Sequence, residues 1–248
     1  MSLSDEELER YARHIVLPQV GGVGQRKLKA SSVAVVGAGG IGSAVVPALA
    51  GAGIGRLTII DDDVVELANL HRQPLFGESD AGKPKAELAA GFVRKLNHFV
   101  VAHPVQQRIN ASNAGGLLAG HDLVIDGSDN FATRLAVSDA CVPLGIPLAS
   151  AAAVQFQGQV GLFRSKPCYR CFVGDAFDAD DCDNCAELGV LGALTATVGS
   201  FAALLAINMI VGIGGDQAGQ LHIFDGEKLS WRTIRIPADP ACKACGST

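Results

Sequence analysis

Short runs of consecutive apolar residues punctuate the first half of the chain, and stretches with helical periodicity separate them. Ser32 to Val36 suits a buried parallel strand, and Leu57 to Ile60, Val100 to His103, Leu123 to Asp126 and Leu148 to Ala151 read as further strands. Between them, residues 4–16, 41–52 and 83–97 and a segment through Cys141 read as helices. The pattern then changes. Phe156 to Phe163, Leu221 to Asp225 and Ser230 to Ile236 read as antiparallel strands, and Asp225-Gly226-Glu227-Lys228 supplies turn residues between the last two. This order predicts an α/β, Rossmann-like chain, with a mostly parallel, doubly wound sheet continued by antiparallel strands. Residues 1–248 are expected to form a single domain: an N-terminal helical arm (1–30), a nucleotide-binding half (31–152) and a partner-binding half (153–248).

At 248 residues and 48% hydrophobic, the chain can bury a substantial core. Net charge is −5 with scattered Lys and Arg, which argues against nucleic acid as a partner. Ser4-Asp5-Glu6-Glu7 resembles a capping box opening a helix rather than an export signal, so a cytoplasmic protein is expected. Leu188 to Gly215 carries no charge and is long enough to span a bilayer. Thr195, Thr197, Ser200, Asn208 and several glycines interrupt that run, and no basic cluster flanks it. A buried core helix is therefore the expectation, not a membrane span.

Candidate chemistry begins at Gly37-Ala38-Gly39-Gly40-Ile41-Gly42, between the first strand and its helix. Glycines there let the backbone approach an anion, and the helix start offers unpaired N–H donors. Asp61, at the end of the second strand, is placed to accept from ribose hydroxyls. These features fit a redox dinucleotide as well as ATP. Asn69-Leu70-His71-Arg72-Gln73, Lys85, and Asp129-Asn130 at a strand end favour the triphosphate: cations hold phosphates and an aspartate holds magnesium.

Together with Arg13, Asp61 to Asp63, Pro84-Lys85 and Pro167-Cys168-Tyr169-Arg170-Cys171, these motifs resemble the ThiF/MoeB/HesA family over essentially the whole chain. That family adenylates ubiquitin-like sulfur-carrier proteins. The resemblance implies ATP and Mg²⁺ as ligands, and a carrier protein ending in Gly-Gly as substrate. It also implies a homodimer and a separate sulfur-donor protein. Gly37, Gly39, Gly40, Gly42, Asp61, Asp63, Asn69, Gln73 and Asn130 would surround the nucleotide. Arg72 and Lys85 would grip phosphates, Asp129 would position magnesium, and Arg13 would reach in from a second subunit. The C-terminal strands, Leu221 to Gly226 with Trp231-Arg232, lean toward the thiamine branch over the molybdopterin branch. The sequence departs from the family at Ala68 and His71, where Ser and Gln are common, which puts a loop or phosphate hydrogen bond in question. A nicotinamide-dependent oxidoreductase and a non-catalytic scaffold are the alternatives.

The chain has seven cysteines. Cys168-x-x-Cys171 and Cys242-x-x-Cys245 suit a closed tetrahedral Zn²⁺ site tying the C-terminal tail back to the body. A redox role is the weaker reading, since neither pair is expected to open a helix after a strand. Cys141 reads as a core thiol. Cys185, in an acidic stretch with Cys182, resembles the family's loop cysteine and is a candidate nucleophile, although neighbouring aspartates would raise its pKa.

Overall fold

The computed structural model describes residues 2–174 and 189–246. It contains an eight-stranded sheet. Strands β1 (Ser32–Val36), β2 (Arg56–Ile60), β3 (Val101–Val105), β4 (Leu123–Asp126) and β5 (Leu148–Val154) run parallel. Strands β6 (Gln157–Phe163), β7 (Gln220–Asp225) and β8 (Ser230–Arg235) continue the sheet antiparallel. The order is β3-β2-β1-β4-β5-β6-β7-β8. Chain direction across the sheet therefore reverses between β1 and β4, the crevice where open α/β sheets bind ligands.

Two layers cover the sheet. On one side pack α3 (Gly21–Ala30), α4 (Gly42–Ala52), α5 (Lys85–Leu96) and α9 (Gly192–Val211). On the other lie α6 (Ala114–Leu118), α7 (Phe131–Leu144) and α8 (Tyr169–Val173). Strands β1 and β4 are buried along their whole length, which is why they read as unbroken apolar runs. Helix α9 is apolar and long enough to cross a membrane by length and composition. Here it packs on α4, α3, β5 and β6, as expected for a core helix.

The arm at residues 4–16 is not one helix. It breaks at Tyr11 into α1 (Asp5–Arg10) and α2 (Ala12–Ile15). The Tyr11 ring is buried against Gly53, which has φ +80° and where a Cβ would lie 2.5 Å from the ring. The Tyr11 hydroxyl accepts from Asn97 Nδ2 at 2.8 Å. Burying this side chain wins over helix continuity and anchors the arm to the ends of α4 and α5. The capping box at Ser4 and Glu7 is present as read.

Candidate active site

The glycine-rich loop leaves β1 at the reversal of strand order. Gly37 has φ +88°, and a Cβ there would sit 3.1 Å from the backbone nitrogen of Ser128 in the neighbouring β4 loop. At Gly42 a Cβ would lie 2.2 Å from the Gly37 carbonyl oxygen. Both positions need glycine for close backbone approach. Asp61 closes the loop from β2: its Oδ2 accepts from Ala38 N at 2.6 Å and its Oδ1 from Asp63 N at 2.9 Å. Burial raises the Asp61 pKa, and these two donors and Lys85 only partly offset it. Each oxygen retains a further lone pair for a ribose hydroxyl.

Lys85 begins α5 with its side chain almost wholly buried. A cation at a helix N-terminus is unfavourable alone, but Lys85 Nζ meets Asp63 Oδ2 at 2.9 Å. Arg72 donates from Nη2 to Asn69 Oδ1 at 3.0 Å and from Nη1 to His71 Nε2 at 2.9 Å. His71 thus makes a hydrogen bond within this loop, with its imidazole as acceptor. Gln73 is buried, and its Oε1 has no partner among the described residues. Asn130 caps α7, accepting from Thr133 N at 2.9 Å, and so leaves the neighbouring Asp129 carboxylate exposed.

These side chains line one cavity of about 720 Å³, which holds Gly37, Gly39, Gly40, Asp61, Asp63, Arg72, Gln73, Lys85, Asp129 and Asn130 of the expected residues. The cavity continues over Ala152, Ala153, Val154, Gln157 and Ile223, on the antiparallel side of the sheet. Gly42 and Asn69 support the loop but do not line it. Arg13, exposed on α2, is likewise not part of the lining. Cys185 and Cys182 lie outside the described residues.

Two cations in the lining carried no sequence signal. Arg108 follows β3. Arg134 on α7 is buried and donates to Ser150 Oγ at 3.1 Å, to the Ala151 carbonyl at 2.8 Å and to the Ser128 carbonyl. It holds the loop bearing Asp129 against β5. In sequence Arg134 looks like any helix-face charge, and only the packing reveals its burial.

The two cysteine pairs meet beside Val142, near the C-terminal end of α7. The four Sγ atoms lie within 4.8 Å of one another, with Cys168–Cys242 at 3.6 Å and Cys171–Cys245 at 3.4 Å. Tetrahedral Zn–S bonds of about 2.3 Å would set sulfurs about 3.8 Å apart, so the arrangement fits a four-thiolate ion. Contrary to the sequence expectation, Cys168 does open a short helix, α8, after β6. Its partners are nevertheless the distant pair. Burial pushes the Cys168 thiol pKa upward, as expected for a cluster whose thiolate form needs a cation. Cys141 is buried apart from this cluster, its pKa pushed up to about 12 by burial and by Asp126, as suits a core thiol.

The ThiF family profile matches residues 11–244. The chain belongs to the ThiF family. It is 42% identical to the SAMP-activating enzyme E1 of Haloferax volcanii, over 99% of this chain and 92% of that one. It is 43% identical to the sulfur carrier protein adenylyltransferase of Thermus thermophilus, over 99% and 93%. Bovine adenylyltransferase and sulfurtransferase MOCS3 is 44% identical over 99% of this chain but only 54% of its own length. Among solved structures, Escherichia coli MccB with MccA-N7isoASN superposes with a TM-score of 0.85 at 23% identity, covering 98% of this chain and 75% of that one. This last likeness speaks for the fold.

Proposed function

We propose that this chain uses ATP to adenylate the C-terminal glycine carboxylate of a ubiquitin-like sulfur-carrier protein, releasing pyrophosphate. The observation that carries the reading is the continuous cavity. One end gathers the glycine-rich loop, Asp61, Arg72 and Lys85, and the other runs over Ala152, Ala153, Val154 and Gly158, room suited to an extended, side-chain-poor tail. Relatives named as a sulfur carrier protein adenylyltransferase and a SAMP-activating E1 support the same class of substrate. They favour an activating enzyme over a redox enzyme or an inert scaffold.

The chemistry needs no general base, because a terminal carboxylate with a pKa near ~3.5 is already ionised at neutral pH. It needs two anions brought together at the α-phosphorus, which demands fixed positive charge. Arg72 and Lys85 supply it, and Arg134 fixes the Asp129 loop. Asp61 orients the ribose. Asp129 is the carboxylate available to hold Mg²⁺, which adds charge neutralisation on the phosphates. Arg13, exposed on α2, completes the site from the second subunit of a homodimer. The four-cysteine cluster holds structural Zn²⁺, sulfur arrives from a separate donor protein, and the enzyme works in the cytoplasm. The thiamine branch is the preferred pathway, with the molybdopterin branch as the rival.

The test is to incubate the purified protein with ATP, Mg²⁺ and ThiS-like or MoaD-like carriers, and to weigh the carrier for an added AMP. A mass increase on a carrier ending in Gly-Gly, lost when the final glycine is removed, is the expected result. No adduct with any carrier, together with nicotinamide-dependent turnover, would overturn the reading.

A further inference from the structure

We propose that His71 aims Arg72 at the nucleotide, its ring nitrogen Nε2 accepting from the guanidinium. This inference rests on the adenylation reading above.

A guanidinium can only donate. The ring nitrogen 2.9 Å from Arg72 Nη1 is Nε2, so Nε2 carries the lone pair and the single ring proton sits on Nδ1. The other arm of the fork is held by Asn69 Oδ1 at 3.0 Å. Asn69 is itself tied to Glu66 by its side-chain amide at 3.3 Å. Two acceptors on one short loop therefore fix both terminal nitrogens of Arg72. The loop backbone is fixed as well: a Cβ on Gly192, the first residue of α9, would lie 2.3 Å from the His71 carbonyl oxygen and 3.1 Å from Arg72 Cα. His71 is exposed and outside the cavity lining, so it acts through Arg72 rather than on substrate.

Glutamine, an uncharged side chain that can also accept, could hold the same guanidinium; leucine could not. Helix α9 brings no charged side chain to this contact, having none along its length.

The experiment measures MgATP affinity by calorimetry at neutral pH for the native protein, His71→Gln and His71→Leu. His71→Gln should match the native protein, because its amide oxygen restores the acceptor, and His71→Leu should bind about tenfold more weakly. Unimpaired binding by His71→Leu, or binding by His71→Gln as weak as that of His71→Leu, would overturn the proposal while leaving the adenylation reading intact. Absence of MgATP binding by the native protein would instead overturn that reading, and this inference with it.

Discussion

Arg170 and Asp139 form a two-pronged ion pair, Nε to Oδ1 at 2.6 Å and Nη2 to Oδ2 at 2.7 Å. The pair joins α8, the short helix that carries Cys171, to the middle of α7. The same α7 carries Asn130 at its N-cap and Arg134 one turn further on. The cysteine cluster and the Asp129 loop are therefore mounted on one rigid element. Both partners are partly exposed, so the pair is expected to contribute only about 1 kcal/mol. Asp139→Ala should lower the thermal midpoint by a few degrees and reduce adenylation by less than about tenfold. A double-mutant cycle with Arg170→Ala should return a coupling energy of that size. Zero coupling would show that the two helices are held by packing alone.

Lys85 offers a sharper test. Its ammonium is buried beside Asp63 and faces the cavity. Lys85→Ala should cut carrier-dependent ATP–pyrophosphate exchange by about 10²–10³-fold, the range for removing one preorganised donor to developing charge. Lys85→Arg should not restore it, since a planar fork does not replace a compact ammonium in a buried slot.

The four thiolates predict one Zn²⁺ per chain by elemental analysis. Cys245→Ser should lose the ion and unfasten the tail beyond β8. Protease cleavage after Ile236 should then appear, and the thermal midpoint should fall. Chelation should reproduce both effects. A protein that stays equally stable and protease-resistant without metal would contradict a structural ion.

Acid should release the N-terminal arm before it unfolds the sheet. Glu7 is buried. Burial works to raise its pKa, but Lys29 and the amide and hydroxyl of Ser4 outweigh it, so the folded value lies below the ordinary 4.5. A depressed carboxylate contributes stability above its unfolded pKa and loses it as pH falls through the folded one. The contribution should therefore be complete at neutral pH and fade below about pH 4.5. Glu7→Gln should cost on the order of 1 kcal/mol at pH 7, a typical value for a lost cap, and progressively less as pH falls below about 4.5. Thermal unfolding across that range checks this.

Where burial is uniform, the apolar pattern alone located elements well. Ser32 to Val36 and Leu123 to Asp126 are bounded as found, and the other strands fall within a few residues. The short helices α6 and α8 span five residues each, too few for periodicity to register. Helix α3 opens with Gly21, Gly22 and Gly24 and has no side-chain cap, so it was legible only as part of a helical arm. The break at Tyr11 arises from a contact with Gly53, distant in sequence and invisible to local pattern. In the site, residues bound to recognisable turns or strand ends (Asp61, Arg72, Lys85, Asp129) were readable. Arg134 and Arg108 were not, because a charge in a helix or loop gives no sign of which way the fold will turn it. The pairing of the cysteines was readable because thiolate chemistry leaves few other uses for that spacing.

The tight stacking of Gly37, Gly42 and the Ser128 backbone has a kinetic corollary. A turn locked by main-chain contact has almost no alternative shapes to abandon when an anion arrives. Ordering of this segment should therefore add little to the entropy of association, and capture of the ligand should proceed at a rate set by diffusion and charge rather than by rearrangement of the turn.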